Sequence, residues 1–239
     1  MKLSWIGEQM EEHVGSMLVL WKDKYKGLYL APVCRVLDLS AKEADELIRS
    51  MLITHDLGKL VRHYQDHLEK GTGLRGYRHE ILSAALTSMA FSKRPWRTYL
   101  SATVMLHHEP ILLGQVRRIG ERYASLTHAY KSLSLAASDN GIIRLTEDGV
   151  ETINKILKEE GFPEAVPSEI SIRSCLRELK RTVVLSSLVN DRLLIRIKVA
   201  TLLHVLVLLD ALAAKRREGD QGGTFVSRRA KIAEVGELT

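Results

Sequence analysis

MLITHDLGKL, residues 51–60, carries an apolar helical stripe into a His-Asp pair and then breaks at a glycine. Working upstream, Leu47, Ile48, Met51, Leu52 and His55 share one face at three- and four-residue spacing. Ser40 with Glu43 makes a capping-box pattern that starts this helix, and Gly58 interrupts near its C-terminal end. The same period governs the N-terminus. Leu3, Ile6, Met10, His13, Met17 and Trp21 form one stripe, which places His13 on the buried face of a first helix.

Downstream, Gly71, Gly73 and Gly76 mark a loop. A helix then starts near His79 and buries Ile81, Leu82, Ala85, Leu86 and Met89. Pro95 suits a first helical position, and the helix after it runs through Tyr99, Leu100, Thr103 and Val104 to His107, with Pro110 ending it. Further helices are expected over roughly 115–136, 148–160, 169–188 and 191–216, with a turn at Asp139-Asn140-Gly141 and a connector at Pro163 and Pro167. No run alternates convincingly and no repeat is visible, so the fold class is all-α, a single compact helical domain. Residues 1–217 form that domain, and 218–239 read as a loosely ordered tail of mixed charge.

The chain has 239 residues, 45% apolar, enough for a real core. Lys and Arg outnumber Asp and Glu by 35 to 29, a balance that suits a polyanionic partner but also an ordinary basic protein. The distribution is more telling. Residues 81–144 hold eight basic residues (Lys93, Arg94, Arg97, Arg117, Arg118, Arg122, Lys131, Arg144) against three acids, and a second basic stretch runs from Arg173 to Lys198. Two scattered cysteines, Cys34 and Cys175, make no disulfide framework and read as buried thiols of a reducing cytoplasm. The acidic start has no signal-peptide character. The apolar stretch from Val199 to Ala214 is shorter than the ~20 residues a bilayer needs and is interrupted by His204 and Asp210, so it reads as a buried helix with no membrane role. The Gly-rich pattern of a P-loop ATPase is absent.

The histidines fall at 13, 55, 63, 67, 79, 107, 108, 128 and 204. One His on a helix face is usually structural, and an HD dipeptide arises easily by chance. The set matters more than any member. His13, His55 and His107 lie on inward stripes or at their ends. Asp210 sits inside VATLLHVLVLLDALAA, where a carboxylate must neutralise, pair or bind a metal. The alternative for Asp210 is a buried salt bridge to an arginine. His107 and His108, about 100° apart on a regular helix, can reach one ion only if the helix ends there. His63 and His67 share a face, but their surroundings are polar and they read as an exposed helix face; His128 and His204 read as structural. Glu80 either orients an imidazole or faces solvent, the latter being the commoner use. Lys59 is either a charge-neutralising group or an exposed helix-end lysine.

The order H…HD-x-G-K…HE…HH…D resembles the HD-domain phosphohydrolase superfamily, with His55-Asp56-Leu57-Gly58-Lys59 as the HD step. The added His79 and the doubled His107-His108 make it similar to the nuclease component of type I CRISPR interference, in its stand-alone form without a helicase. The resemblance spans positions 13 to 210. It implies a two-metal HD-type site in which His13, His55, Asp56 and Asp210 hold one ion and His79, His107 and His108 the other, with Asp56 bridging. The implied catalytic residues are Asp56 and Lys59, the latter countering charge in the transition state. Two divalent ions clamp a phosphodiester and activate water, so no Ser or Cys nucleophile is needed. Mn or Mg would serve in assays, and the imidazole-rich set also suits Fe, Co or Ni.

The implied partners are DNA or RNA, single strands preferred, a CRISPR helicase subunit and an RNA-guided targeting complex. Arg94, Arg97, Arg117 and Arg118 would neutralise backbone phosphates. Trp96 would stack on a base or, more commonly, pack at a helix start. Two other functions remain open on the residues: an HD-type nucleotide phosphohydrolase, and a basic nucleic-acid-binding adaptor with a structural metal.

Overall fold

Ser40 accepts from the Glu43 backbone, and Glu43 accepts from the Ser40 backbone in return. The capping box therefore forms as read and starts α3 (Ala41–Thr54). The computed structural model describes residues 2–5, 8–72, 74–108, 126–188 and 192–218. Helices dominate them. Before α3 come α1 (Met10–Leu20) and α2 (Lys26–Leu37), joined without a break by a π-turn, Trp21–Tyr25. After it come a 3-10 turn (Leu57–Leu60), α4 (Arg62–Glu69), α5 (His79–Ala90) and α6 (Arg97–Leu106). The series ends with α7 (Leu126–Ser134), α8 (Glu147–Glu159), α9 (Ile172–Leu188) and α10 (Arg192–Glu218).

Small strands depart from the sequence reading. β1 (Leu3–Trp5) pairs antiparallel with β2 (Glu8–Gln9), and β3 (Ile142–Arg144) pairs with β4 (Glu169–Ser171). Leu3 therefore belongs to a hairpin and not to the first helix, which starts at Met10. The hairpin is held from outside. Buried Gln65 accepts from the Leu3 N–H, donates to the Leu3 carbonyl and donates also to the Lys59 carbonyl.

α5 is central, packed on α6, α9, α7 and the 3-10 turn, while α10 crosses α6, α1 and α2. Leu82, Leu86, Leu100, Val104, Met17, Trp21, Leu202 and Leu206 are among the side chains fully enclosed between them. By length and composition alone, Leu194–Lys215 could cross a membrane. Its Leu202, Leu206 and Leu209 are instead buried in this core. Cys175 is buried and Cys34 only partly so. The expected helix from 115 is described only over Leu126–Ser134. The tail beyond Glu218 lies outside the described residues.

Candidate metal centre

His55 and His107 reach the site by the same local device. Each caps the C-terminus of its helix, α3 or α6, where the last carbonyls lack helical partners. His55 Nδ1 is 2.9 Å from the Leu52 carbonyl and His107 Nδ1 is 2.7 Å from the Val104 carbonyl. A carbonyl only accepts, so each Nδ1 carries the proton and each Nε2 is left as a bare ligand atom aimed off the helix end. Both rings are buried. Because α6 stops at Leu106, His108 turns back as well, its ring centroid 4.0 Å from that of His107.

Asp56 follows His55 directly and sits among these rings, 2% exposed. Its Oδ1 lies 3.1 Å from His79 Nε2 and 3.6 Å from His107 Nε2. Its Oδ2 lies 3.4 Å from His55 Nε2 and accepts from Lys59 Nζ at 2.7 Å. The two oxygens thus face different groups. His79 opens α5, and its approach depends on Gly58: a Cβ there would lie 2.1 Å from the His79 carbonyl oxygen. The Gly58 N–H donates to Ser83 and its carbonyl accepts from Tyr77, which seats the turn on α5. His108 Nε2 lies 3.1 Å from His79 Nε2. On the other side, His13 Nε2 is 3.2 Å from Asp210 Oδ1, and His13 Nδ1 is 3.3 Å from Glu8 Oε2.

The electrostatics describe a negative site. Burial alone would raise the Asp56 carboxyl, but Lys59, His55 and His107 outweigh it and hold Asp56 well below the usual carboxylate range. Asp210 behaves likewise: burial raises it, and His13 and His55 bring it down. Burial lowers the His13 imidazole, yet the Asp210 and Glu8 carboxylates lift it to about 9. His107 is raised too, burial being outweighed by Asp56, and Asp56 keeps Lys59 protonated against its own burial. His79 is lowered, chiefly by burial. His108, exposed as a residue while its ring abuts two others, is pushed down to about 2 by burial of that ring and by His107 and His79.

Protons drawn onto His13 and His107 mark where cations are wanted. His55 Nε2, Asp56 Oδ1 and His107 Nε2 are buried without a hydrogen-bond partner, a cost that a coordinated ion removes. Two groups of ligand atoms, each within 4.8 Å of one another, meet the need: Asp56, His79, His107 and His108, and His13, His55 and Asp56. Imidazole nitrogens with carboxylate oxygens suit a divalent transition metal. The donor set fits.

All seven sequence-derived ligands therefore lie around one centre. Asp210 is less enclosed than the apolar run around it implies, with its side chain 27% exposed, and its partner among the described residues is His13 and not an arginine. Lys59 is buried against Asp56 and not an exposed helix-end residue. Glu80 is a correction: it is 2% exposed, not solvent-facing, and pairs with Arg78 and lies 3.7 Å from His79 Nδ1. Arg94 is spent on Glu164 and Glu46, which leaves its charge neutralised by two carboxylates. Trp96 packs on Phe91, fully enclosed, and cannot stack on a base without unfolding its surroundings. Arg97 is half-buried and donates to the Ser92 carbonyl. Arg117, Arg118 and the Glu109-Pro110 pair lie outside the described residues. His63 and His128 are exposed, and His204 contacts Tyr29. Glu8 and Gln65 were not visible as site residues. Glu8 stands five positions before His13, a spacing that aligns on no helix and is closed only by the hairpin.

No protein-family profile matches the chain. A CRISPR-associated endonuclease Cas3-HD from Pyrococcus furiosus is 32% identical over 223 residues, covering 90% of this chain and 91% of the relative. Another from Methanocaldococcus jannaschii is 28% identical over 246 residues, covering 99% and 94%. A third, from Thermoproteus tenax, is 33% identical over 189 residues, covering 76% of each. The solved structure of the CRISPR-associated Cas3 HD domain protein from Methanocaldococcus jannaschii matches with a TM-score of 0.66 at 24% identity, covering 85% of this chain and 98% of that one. At that identity the likeness speaks for the fold.

Proposed function

This chain belongs to the Cas3-HD family of CRISPR-associated endonucleases, and we propose that it hydrolyses phosphodiester bonds of DNA or RNA, single strands preferred, at a two-metal centre bridged by Asp56. The observation that carries the reading is the division of labour on Asp56. One oxygen faces His79 and His107, and the other faces His55. His13, His55 and Asp210 with Asp56 would hold one ion; His79, His107 and His108 with Asp56 the other.

Two divalent ions so held supply Lewis acidity to the scissile phosphate and lower the pKa of the attacking water. The residues do the rest. His55 and His107 keep their Nδ1 protons on carbonyls and offer Nε2 in a fixed orientation. Lys59 keeps Asp56 ionised and places a positive charge beside the phosphate that Asp56 would bring close. His108 and Asp210, the more exposed members, stand toward solvent, where a nucleic acid strand would enter. Arg97, Arg117 and Arg118 are the arginines retained for the phosphate backbone; Arg94, already neutralised, is not. A CRISPR helicase and an RNA-guided complex would deliver the strand. Mn or Mg would support the reaction, with Fe, Co or Ni as fitting ligands for the imidazoles.

The test is cleavage of labelled single- and double-stranded DNA and RNA by the wild type, Asp56→Ala and Asp210→Ala, with Mn²⁺ and with EDTA. Metal-dependent cleavage of single strands, reduced to the EDTA level in both folded variants, is the expected result. Intact oligonucleotides alongside phosphate release from nucleotides would replace the nuclease with a nucleotide phosphohydrolase.

A further inference from the structure

A metal-bound imidazole keeps one N–H, and in a buried site that N–H needs an acceptor. His55 and His107 find theirs in the carbonyls three residues earlier, because each sits at a helix end. His13 cannot. It lies inside α1, where the carbonyls are already taken by the helix. Its Nδ1 is buried, makes no regular hydrogen bond, and has Glu8 Oε2 at 3.3 Å. Once Nε2 and Asp210 are turned to a metal, Glu8 is the acceptor within reach.

Glu8 is itself well placed by the fold. It is buried on β2, whose partner β1 is clasped by Gln65. The same Gln65 amide holds the Lys59 carbonyl. One side chain therefore fixes both the hairpin that carries Glu8 and the turn that carries Asp56 and Lys59.

We propose that Glu8 is the positioning residue of the metal position that uses His13: its carboxylate accepts the Nδ1 proton and presents Nε2 to the ion. This rests on the two-position reading of the site. Glu8 touches neither substrate nor metal; it acts through His13. Orienting partners of this kind are worth about 10–100-fold in metal affinity.

The test is titration of the metal-free protein with Mn²⁺ alone, read by calorimetry and by electron paramagnetic resonance, for wild type, His13→Ala, Glu8→Ala and Glu8→Gln. Circular dichroism and thermal melts in EDTA accompany each. Wild type should show two binding steps. Glu8→Ala should weaken the step that His13→Ala removes, by about 10–100-fold, and leave the other unchanged. Glu8→Gln, isosteric and still an acceptor, should fold normally and show a smaller loss in the same step; it carries the test if Glu8→Ala does not fold. Two unchanged steps in Glu8→Gln and Glu8→Ala, or equal weakening of both steps with a lowered melt in EDTA, overturn the proposal and leave the two-metal reading intact. A single step in wild type overturns the two-metal reading instead. The role of Glu8 is then decided by whether that one step weakens with Glu8 as it does with His13.

Discussion

Asp56 is almost wholly enclosed, and its charge needs a cation at hand. In metal-free solution Lys59 fills that role at 2.7 Å. Lys59→Met should therefore cost about 3 kcal/mol of stability in EDTA, and clearly less in saturating Mn²⁺, where ions take over the neutralisation; paired denaturant melts measure the difference. Gly58→Ala meets backbone, not a flexible side chain, at the His79 carbonyl. We expect about 1–3 kcal/mol of destabilisation and weaker Mn²⁺ binding, since His79 must move with the helix it starts. Arg94→Ala should lower stability by about 1–2 kcal/mol while leaving oligonucleotide affinity unchanged in a filter-binding assay. These residues also show what a sequence discloses. His13, His55, His107 and Asp210 were legible because their neighbours are apolar at helical spacing, so their burial could be inferred. The partners of Glu80, Glu8 and Arg94 come from other elements or from a hairpin, and no local pattern encodes them.

Helix ends do much of the chemistry here. α3 and α6 each stop at a histidine that uses the free carbonyls of the last turn, so terminating the helix and orienting the ligand are one event. The capping box and the breaks at Gly58 and Pro110 made the start of α3 and the helix ends around His55 and His107 readable in advance. The strands were not, because three residues such as Ile142–Arg144 or Glu169–Ser171 are too few to show alternation, and Leu3 happens to extend the spacing of α1. Away from the site, Arg49 of α3 joins Asp45 to Glu160, the residue that closes α8. Burial raises both carboxyls; Trp21, Lys26 and Arg49 outweigh it for Asp45, and Lys22 and Arg49 for Glu160, so both end below their ordinary values of 3.8 and 4.5. A lowered folded value means stability that is present above the unfolded value and lost as pH falls through the folded one. Melting temperature in EDTA should thus drop below about pH 4. Arg49→Met should start less stable near neutrality and lose less on acidification.

Across the whole molecule, the proposed ligands come from α1, α3, α5, α6, α10 and the segment after α3, so an ion at the centre ties together helices far apart in sequence. Binding at a hundred times the dissociation constant adds about 2.7 kcal/mol. In a chain of this size Mn²⁺ should raise the melting temperature by roughly 5–10 °C, reversibly with EDTA and not at all in Asp56→Ala. The helical class was legible at this scale because the apolar period recurs along most of the chain. The full reach of α10 was not: it runs on past Ala214 to Glu218, through charged residues that carry no apolar signal. The π-turn at Trp21–Tyr25 has its own consequence. The Lys26 N–H bonds the Trp21 carbonyl, five residues back, so this run holds one residue more than an α-helix of the same height. That extra residue acts as a phase insert between α1 and α2. Losing any one position from it would let the helix close up in α form and rotate His13 by about 100° against everything downstream. Among homologues, single-residue gaps should therefore be purged from these five positions even where the amino acids themselves drift.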